Sequence, residues 1–271
     1  MKDFLLEELP VAAHHTTDVL TQCFSCIDLT SLNATDTTAK IAAMMEKVNN
    51  FPKHFAGLPN VAAVCIYPNL VSVARKTLQA PEVQIAAVGA GFPSSQTFIE
   101  IKCDECRRTV EAGADEIDIV ISLSAFLANN YDIMQDEIRQ IKKAIGKAHL
   151  KVILETGALT PEQIATASRL SIDAGADFIK TSTGKMETAA TPEAAWIMTH
   201  AIKAHFDKTG EKIGFKPAGG IITAQDAVIY YTIVKTVLGD TWLTPKLFRI
   251  GASRLANNLL TEITAKTVNY F

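Results

Sequence analysis

The sequence predicts an α/β protein with a single (β/α)8 barrel of the TIM type and an extra N-terminal helix. Three observations support this fold: eight apolar strand candidates, helical periodicity between them, and an internal repeat. The repeat pairs "EAGADEIDIV" at 111–120 with "DAGADFIKTS" at 173–182, each running from a helix end through glycine into a strand. The spacing between them fits two strand-plus-helix units. Eight such units in 271 residues predict a closed parallel barrel.

The strand candidates are short apolar runs bounded by turn residues. In chain order they lie at 26–32, 61–67, 85–92, 116–121, 151–156, 178–183, 213–219 and 247–253. Helical periodicity appears between them, as in the run that begins at Ile41 and the run that begins at Met134. We expect a further helix at about 4–21, before the first strand.

Helix boundaries are indicated by residues that favour capping. The predicted N-caps are Thr35 or Asp36, Ser94 or Ser95, Thr160, Thr191 and Thr223. Gly113 and Gly175 suit the left-handed backbone conformation that ends a helix.

The chain is predicted to form one domain, because no linker or low-complexity stretch divides it. We expect a helical extension at 1–25, eight βα units at 26–253, and the last helix with a tail at 254–271.

A doubly wound open sheet is the alternative fold, since it also alternates strands and helices. That fold usually carries a glycine-rich dinucleotide loop, but "GAGFPS" at 89–94 lacks the third glycine. "STGK" at 182–185 is not a P-loop, because Ile179 stands where that motif needs glycine.

Composition argues against several classes of function. The net charge is −3 and 20% of residues are charged, without a dense basic run, so neither nucleic acid nor an anionic membrane is an expected partner. The first ten residues do not resemble a signal peptide, and we expect a cytoplasmic location. The five cysteines include two CxxC pairs, but their context predicts free thiols rather than a metal or redox site.

Three predicted strands carry an ionisable residue late in an apolar run: Asp118 in the fourth, Lys180 in the sixth and Lys216 in the seventh. Alternate residues of a barrel strand face inward, and active sites lie at the carboxyl ends of the strands. Burial and a neighbouring cation lower the pKa of an amine, so Lys216 would favour a neutral, nucleophilic Lys180. Asp118 would then transfer protons. A structural ion pair is the alternative, but two lysines with one aspartate leave an excess buried cation, which favours a function.

Small residues follow the last three predicted strands, at Gly184, at Gly219 and Gly220, and at 251–253. Such loops let backbone N–H groups approach an oxyanion, and barrels commonly hold phosphate at the last two. The alternative is that these glycines only form tight turns. Together the three loops favour a phosphorylated substrate.

The motifs "DFIKTSTGK", "GFKPAGG", "EIDIVI", "AAVCIYP" and "RIGAS" resemble the deoxyribose-phosphate aldolase family over about residues 26–259. The resemblance implies a class I aldolase on a (β/α)8 barrel, with no metal and no organic cofactor. It implies reversible cleavage of 2-deoxy-D-ribose 5-phosphate to D-glyceraldehyde 3-phosphate and acetaldehyde. A small phosphorylated sugar is then the expected partner, and a homodimer is left open.

The resemblance also implies roles for individual residues. Lys180 matches the Schiff-base lysine, Lys216 its electrostatic partner and Asp118 the proton-relay residue. The implied substrate-binding residues are Asp28, Thr30, Asn33, Cys65 and Thr183, with Cys65 near the pocket mouth. The implied phosphate-binding residues are Gly184, Lys185, Gly219, Gly220, Gly251, Ser253 and Arg254.

Two positions depart from the family pattern. Ile222 stands where many members have a basic residue, and Arg254 stands where they usually have serine or threonine. We hypothesise that Arg254 replaces the missing charge; a solvent-facing arginine is the alternative. Some members use a C-terminal tail that ends in tyrosine, and Tyr270 is the penultimate residue here, so the resemblance leaves a role for Tyr270 open. The other functions that remain open are a Schiff-base lyase with a keto donor and a sugar-phosphate sensor without turnover.

Overall fold

The structure, a computed structural model, describes residues 4–271, and these residues form the predicted barrel. Its eight strands are β1 (Ile27–Thr30), β2 (Ala63–Ile66), β3 (Gln84–Val88), β4 (Glu116–Val120), β5 (His149–Ile153), β6 (Phe178–Lys180), β7 (Gly214–Lys216) and β8 (Ile250–Ala252). All paired neighbours are parallel, in the order β7-β6-β5-β4-β3-β2-β1-β8. Isolated parallel bridges, Phe215 with Phe248 and Ala218 with Gly251, join β7 to β8 and close the barrel.

Helices alternate with the strands and cover the outside of the barrel. In the described residues they are α1 (Val11–His14), α2 (Thr17–Ser25), α3 (Thr38–His54), α4 (Val71–Thr77), α5 (Ile99–Glu111), α6 (Leu123–Leu127), α7 (Tyr131–Ile145), α8 (Pro161–Asp173), α9 (Pro192–Thr209), α10 (Ala224–Leu238) and α11 (Leu255–Thr264). The two periodic runs are confirmed: α3 buries Ile41 and Met45, and α7 buries Met134 and Ile138.

Three predicted caps are confirmed. The side chains of Thr160, Thr191 and Thr223 accept backbone N–H groups at the starts of α8, α9 and α10. Gly113 and Gly175 have positive φ angles of 112° and 100°, as predicted. The chain therefore turns where its local sequence favours turning.

Two predicted caps were wrong. Helix α3 is capped by Thr37, one residue later than predicted, because the Asp36 carboxylate accepts hydrogen bonds within the preceding loop. Helix α5 begins only at Ile99. Ser95 has a φ of 56° and its hydroxyl accepts a bond from Lys102, so it belongs to the loop and does not start a helix.

The N-terminal extension is helical but is not the single helix predicted at 4–21. It consists of a 3-10 turn at Leu6–Glu8, then α1, then α2. Pro10, whose nitrogen cannot donate a hydrogen bond, separates the first two. The side chain of Thr16 caps α2 by accepting the N–H of Val19 and so begins a new helix. Residues 1–3 of the predicted extension lie outside the described residues.

The register of the strands determines where the side chains of β6 and β7 point. A Cβ at Gly214 would overlap the ring of Phe178, so the glycine lets this ring lie against β7. In the parallel register Lys180 is paired with Lys216, and Asp118 is paired with Lys151. Pairs in register point to the same side of the sheet, so these four side chains extend into the barrel together.

Across residues 4–271, no helix has the length and apolar content needed to span a bilayer.

Candidate active site

The carboxylate of Asp118 lies at the centre of the barrel and binds three lysines. Its Oδ2 atom accepts hydrogen bonds from Lys180 Nζ at 2.7 Å and from Lys216 Nζ at 2.8 Å. Its Oδ1 atom accepts one from Lys151 Nζ at 3.1 Å. All four side chains are buried. Because Lys180 and Lys216 bond the same oxygen, their two amino groups are neighbours, as the sequence interpretation required.

A second layer of charge lies beneath this centre. Asp28 pairs with Lys216 through Oδ2 and with Arg249 through Oδ1, the latter at 2.7 Å. Glu116 pairs with Lys151 at 2.5 Å and accepts two bonds from the Arg249 guanidinium, at 2.7 and 3.1 Å. Within the described chain, this ion network therefore joins four basic side chains to three carboxylates.

The environment shifts the pKa values of the four basic groups in different directions. Burial lowers the pKa of Lys180 below its usual value, Asp118 opposes this, and the neighbouring charge of Lys216 adds to the lowering. For Lys216, Asp118 and Asp28 outweigh burial and raise the pKa. The pKa values of Lys151 and Arg249 are also raised by their carboxylate partners, against the effect of burial. Among the basic groups of this network in residues 4–271, Lys180 therefore loses its proton most readily.

The acidic groups are held ionised. Burial raises the pKa of Asp118, but the three surrounding lysines outweigh it and hold the pKa well below its usual range. Lys216 and Arg249 likewise lower the pKa of Asp28 against the effect of burial. An ionised carboxylate only 2.7 Å from an amine is placed to accept or return a proton.

A cavity of about 290 Å³ opens above Lys180 at the carboxyl ends of the strands. Its lining includes most of the residues that the sequence motifs singled out: Thr30, Asn33, Lys180, Thr183, Gly184, Lys185, Gly219, Gly220, Gly251, Ser253 and Arg254. Ile222 also lines it. The first-strand residues and the three glycine-containing loops therefore face one space, with a lysine at its base.

Four predicted site residues do not line this cavity. Asp118, Lys216 and Asp28 lie below it in the ion network and are completely buried. Cys65 is also completely buried, in a small apolar cluster with Leu32, and not at the pocket mouth. Burial raises the pKa of this thiol, which keeps it protonated.

The loops at the cavity require glycine at two points of close approach. Gly219 has a φ of 85°, and a Cβ there would lie 2.7 Å from the Cβ of Ala189. A Cβ at Gly251 would lie 2.8 Å from the Cβ of Ala218 and 3.1 Å from Cε of Lys216. Glycine at 251 therefore leaves room for the Lys216 side chain to reach Asp118.

A buried carboxylate supports the loop after β6. Glu155 accepts the backbone N–H of Thr183 at 3.1 Å and its hydroxyl at 2.6 Å. The Thr183 hydroxyl in turn accepts the N–H of Lys185 at 3.0 Å. The Nζ atom of Lys185 donates to the carbonyl of Leu32, across the cavity mouth. These bonds hold the loop in place over the site.

Sequence reasoning missed Lys151, Glu116, Arg249 and Glu155. A signal was present for one of them, because Glu116 is two residues before Asp118 in β4, and such residues share a face of a strand. Lys151 is the first residue of the predicted run at 151–156, where a basic residue usually faces water, but in the structure it is the middle residue of β5. Arg249 directly precedes β8. Their burial depends on partners from other strands.

Comparisons with known proteins identify the family to which the chain belongs. The sequence model of the DeoC/LacD family aldolases matches residues 23–239. The chain is 45% identical to the deoxyribose-phosphate aldolase of Homo sapiens over 257 residues, which cover 90% of this chain and 80% of that protein. It is 42% identical to that of Bos taurus, with the same coverage. The solved structure of the aldolase QR15 superposes with a TM-score of 0.73 at 28% identity, covering 90% of this chain and 98% of the other.

The fold and the lysine-rich centre are those of a (β/α)8-barrel enzyme. The chain belongs to the DeoC/LacD aldolase family, and it is a carbon–carbon lyase.

Proposed function

We propose that this protein catalyses reversible cleavage of 2-deoxy-D-ribose 5-phosphate into D-glyceraldehyde 3-phosphate and acetaldehyde, through an imine on Lys180. One observation carries the proposal: Lys180 lies at the base of the cavity, and burial with a neighbouring ammonium lowers its pKa. An amine attacks a carbonyl only when it is unprotonated. The names of the two mammalian relatives supply the substrate.

In the proposed sequence the Lys180 amine adds to the aldehyde carbon of the open-chain sugar, and loss of water gives an iminium ion. The C3 hydroxyl then loses its proton, the C2–C3 bond breaks, and the bonding electrons move into the iminium. Glyceraldehyde phosphate leaves and an enamine stays on Lys180. Protonation of the enamine at C2 and addition of water then release acetaldehyde and the free amine.

Asp118 is the group that we assign to proton transfer in these steps. Its Oδ2 atom already accepts a bond from Lys180 Nζ at 2.7 Å. Lys216, which bonds the same oxygen, keeps Asp118 ionised and disfavours a proton on Lys180. Its positive charge is itself stabilised by Asp28. Lys216 thus acts through electrostatics and is not the nucleophile.

We assign the phosphate group to the loops that follow β6, β7 and β8. Gly184, Gly219 and Gly220 have positive φ angles of 72°, 85° and 78° and no side chain to keep an anion away. Ser253, Arg254 and Lys185 line the same cavity and supply polar or basic groups. The sugar hydroxyls then face Thr30, Asn33 and Thr183.

The imine is tested by treating the protein with acetaldehyde and borohydride and mapping the modified peptide by mass spectrometry. We expect an adduct on Lys180, and we expect Lys180→Ala to abolish both adduct and turnover with an unchanged thermal unfolding midpoint. Lys203→Ala removes a lysine of α9 that pairs with Asp207, away from the cavity, and serves as the control. An adduct on Lys185 in place of Lys180 would contradict the assignment.

The phosphate assignment is tested separately with Arg254→Ser. If Arg254 binds phosphate, the KM for deoxyribose 5-phosphate rises, while the KM for unphosphorylated deoxyribose stays the same. An equal effect on both substrates contradicts this role.

A further inference from the structure

Arg249 lies at the base of the ion network and does not border the cavity. It directly precedes β8, and only 4% of its surface is exposed. Its guanidinium donates to Asp28 and to both oxygens of Glu116, and its Nε atom donates to the carbonyl of Pro245. The ring of Phe178 lies 5.8 Å below the guanidinium carbon. Arg249 is therefore fixed on every side and cannot contact a substrate in the cavity.

Arg249 is nevertheless connected to the reacting lysine through shared carboxylates. Asp28 bridges Arg249 to Lys216, and Glu116 bridges Arg249 to Lys151. Both of those lysines also bond Asp118, the partner of Lys180. A change of charge at Arg249 alters how strongly Asp28 and Glu116 attract Lys216 and Lys151. It therefore also alters how strongly those two lysines compete with Lys180 for Asp118.

The network as described for residues 4–271 holds one more basic group than acidic groups. A guanidinium does not release its proton in proteins, so the excess positive charge falls on the lysines. Lys151 lies within 3.9 Å of all three carboxylates, and Lys216 pairs with two. Among the described residues, Lys180 pairs with Asp118 alone. A buried excess charge is costly, and the lysine with the fewest counter-charges loses its proton at the least cost.

We propose that Arg249 is a positioning residue which, paired with Glu116 at the base of the network, determines that Lys180 is the lysine left without a proton. This inference rests on the proposed imine chemistry of Lys180. Arg249 does not contact the substrate, but it sets the pH at which the Lys180 amine becomes reactive.

Other titratable groups around the network are few and identifiable. Cys26 adjoins Asp28 and Arg249, and burial raises its pKa to about 12, so it stays a neutral thiol near neutral pH. His149 is exposed, with its Nδ1 atom 3.9 Å from Glu116. Cys65 faces Lys180 and Lys216 as a neutral thiol. Glu155 bonds Thr183 and, within residues 4–271, forms no ion pair with the network.

Charge-altering variants test the proposal in both directions. Arg249→Met removes the excess positive charge, so we expect Lys180 to keep its proton to a higher pH. Glu116→Gln removes a carboxylate and should have the opposite effect. The double variant restores the original excess charge and should return to wild-type behaviour. Arg249→Lys keeps the charge without the planar fork and should stay close to wild type.

The readout is the initial rate at which acetaldehyde and cyanoborohydride modify Lys180, measured by peptide mass spectrometry across a pH series. We expect the pH of half-maximal rate to rise by about one unit in Arg249→Met and to fall by about one unit in Glu116→Gln, roughly a tenfold change in free amine each way. Thermal unfolding identifies variants that do not fold. Glu116→Gln and the double variant keep the test decisive if Arg249→Met is unfolded.

A purely structural role for Arg249 predicts slower modification without a shift of the midpoint. Equal midpoints in wild type, Arg249→Met and Glu116→Gln, or shifts of the same sign in both variants, overturn the proposal. Absence of any Lys180 adduct in the wild-type protein overturns the proposed function and this inference with it. The two failures are therefore distinguishable.

Discussion

Replacing Asp118 by asparagine should separate formation of the imine from turnover. The substitution keeps the size of the side chain and removes its charge. The carboxylate oxygen lies 2.7 Å from Lys180 Nζ and raises the pKa of that lysine, against burial. Without it, two carboxylates would face four basic groups in the described network, and the Lys180 amine should be free at lower pH. Asp118→Asn should thus make the nucleophile more available and remove the proton-transfer group.

The expected size of both effects follows from this contact. An opposite charge at such short range changes a pKa by about one to three units, and one unit corresponds to about 1.4 kcal/mol. We therefore expect the pH of half-maximal acetaldehyde trapping to fall by about one to three units. Loss of a general acid–base group lowers turnover by about 100-fold to 10,000-fold.

Two assays on one preparation measure these effects: the pH series of reductive trapping on Lys180, and cleavage of deoxyribose 5-phosphate. Asp173→Asn is the matched control, because Asp173 is on the outer helix α8 and pairs only loosely with Arg169 at 3.6 Å. The control should leave trapping and turnover unchanged. A trapping midpoint that rises in Asp118→Asn, or turnover within a few-fold of wild type, would refute the electrostatic reasoning.

Three further predictions concern the same network. Lys216→Met removes the neighbouring positive charge, so the trapping midpoint of Lys180 should rise by about one pH unit; an unchanged midpoint would argue against an electrostatic role. Gly251→Ala places a Cβ 2.8 Å from the Cβ of Ala218. Such overpacking should lower the free energy of unfolding, measured with urea, by about 1–3 kcal/mol and should also reduce kcat/KM. Full stability of the variant would show that the barrel relaxes at this position. In the folded state, the pKa values of the network carboxylates are lowered. These groups therefore stabilise the fold above their unfolded pKa values, which are near 4, and this stabilisation is lost as the pH falls towards the folded-state pKa values. Urea unfolding of Asp28→Asn should show a weaker pH dependence in this acid range, and a dependence equal to wild type would disprove the linkage.

Local sequence was sufficient to predict the order of the fold, because each strand of a parallel barrel is a separate apolar run. The predicted run at 178–183 contains β6, but only Phe178–Lys180 pair as a strand, and the rest forms the cavity loop. Strand ends depend on where the neighbouring strand stops, which local sequence does not contain. The N-terminal segment was predicted as one helix, but Pro10 and the cap at Thr16 divide it.

Sequence reasoning named most of the cavity residues and four described members of the ion network, including Asp28, but missed the other three members. Lys180, Lys216 and Asp118 stand out because each interrupts an apolar run near its end. Lys151 begins the predicted run at 151–156 and Arg249 precedes β8, so neither stands late in an apolar run. Their positions follow from the closure of the barrel, which brings β8 beside β1 and so places Arg249 next to Asp28. Only the three-dimensional register creates that neighbourhood.

The pairing of Lys180 with Lys216 across β6 and β7 also has a consequence for how the barrel assembles. Side chains alternate along a strand, so a slip by one residue in either strand would turn a lysine outward against the apolar faces of the surrounding helices. Each misaligned pairing would also separate an ammonium group from Asp118, so the ion pairs of the site favour the native register of β6 and β7.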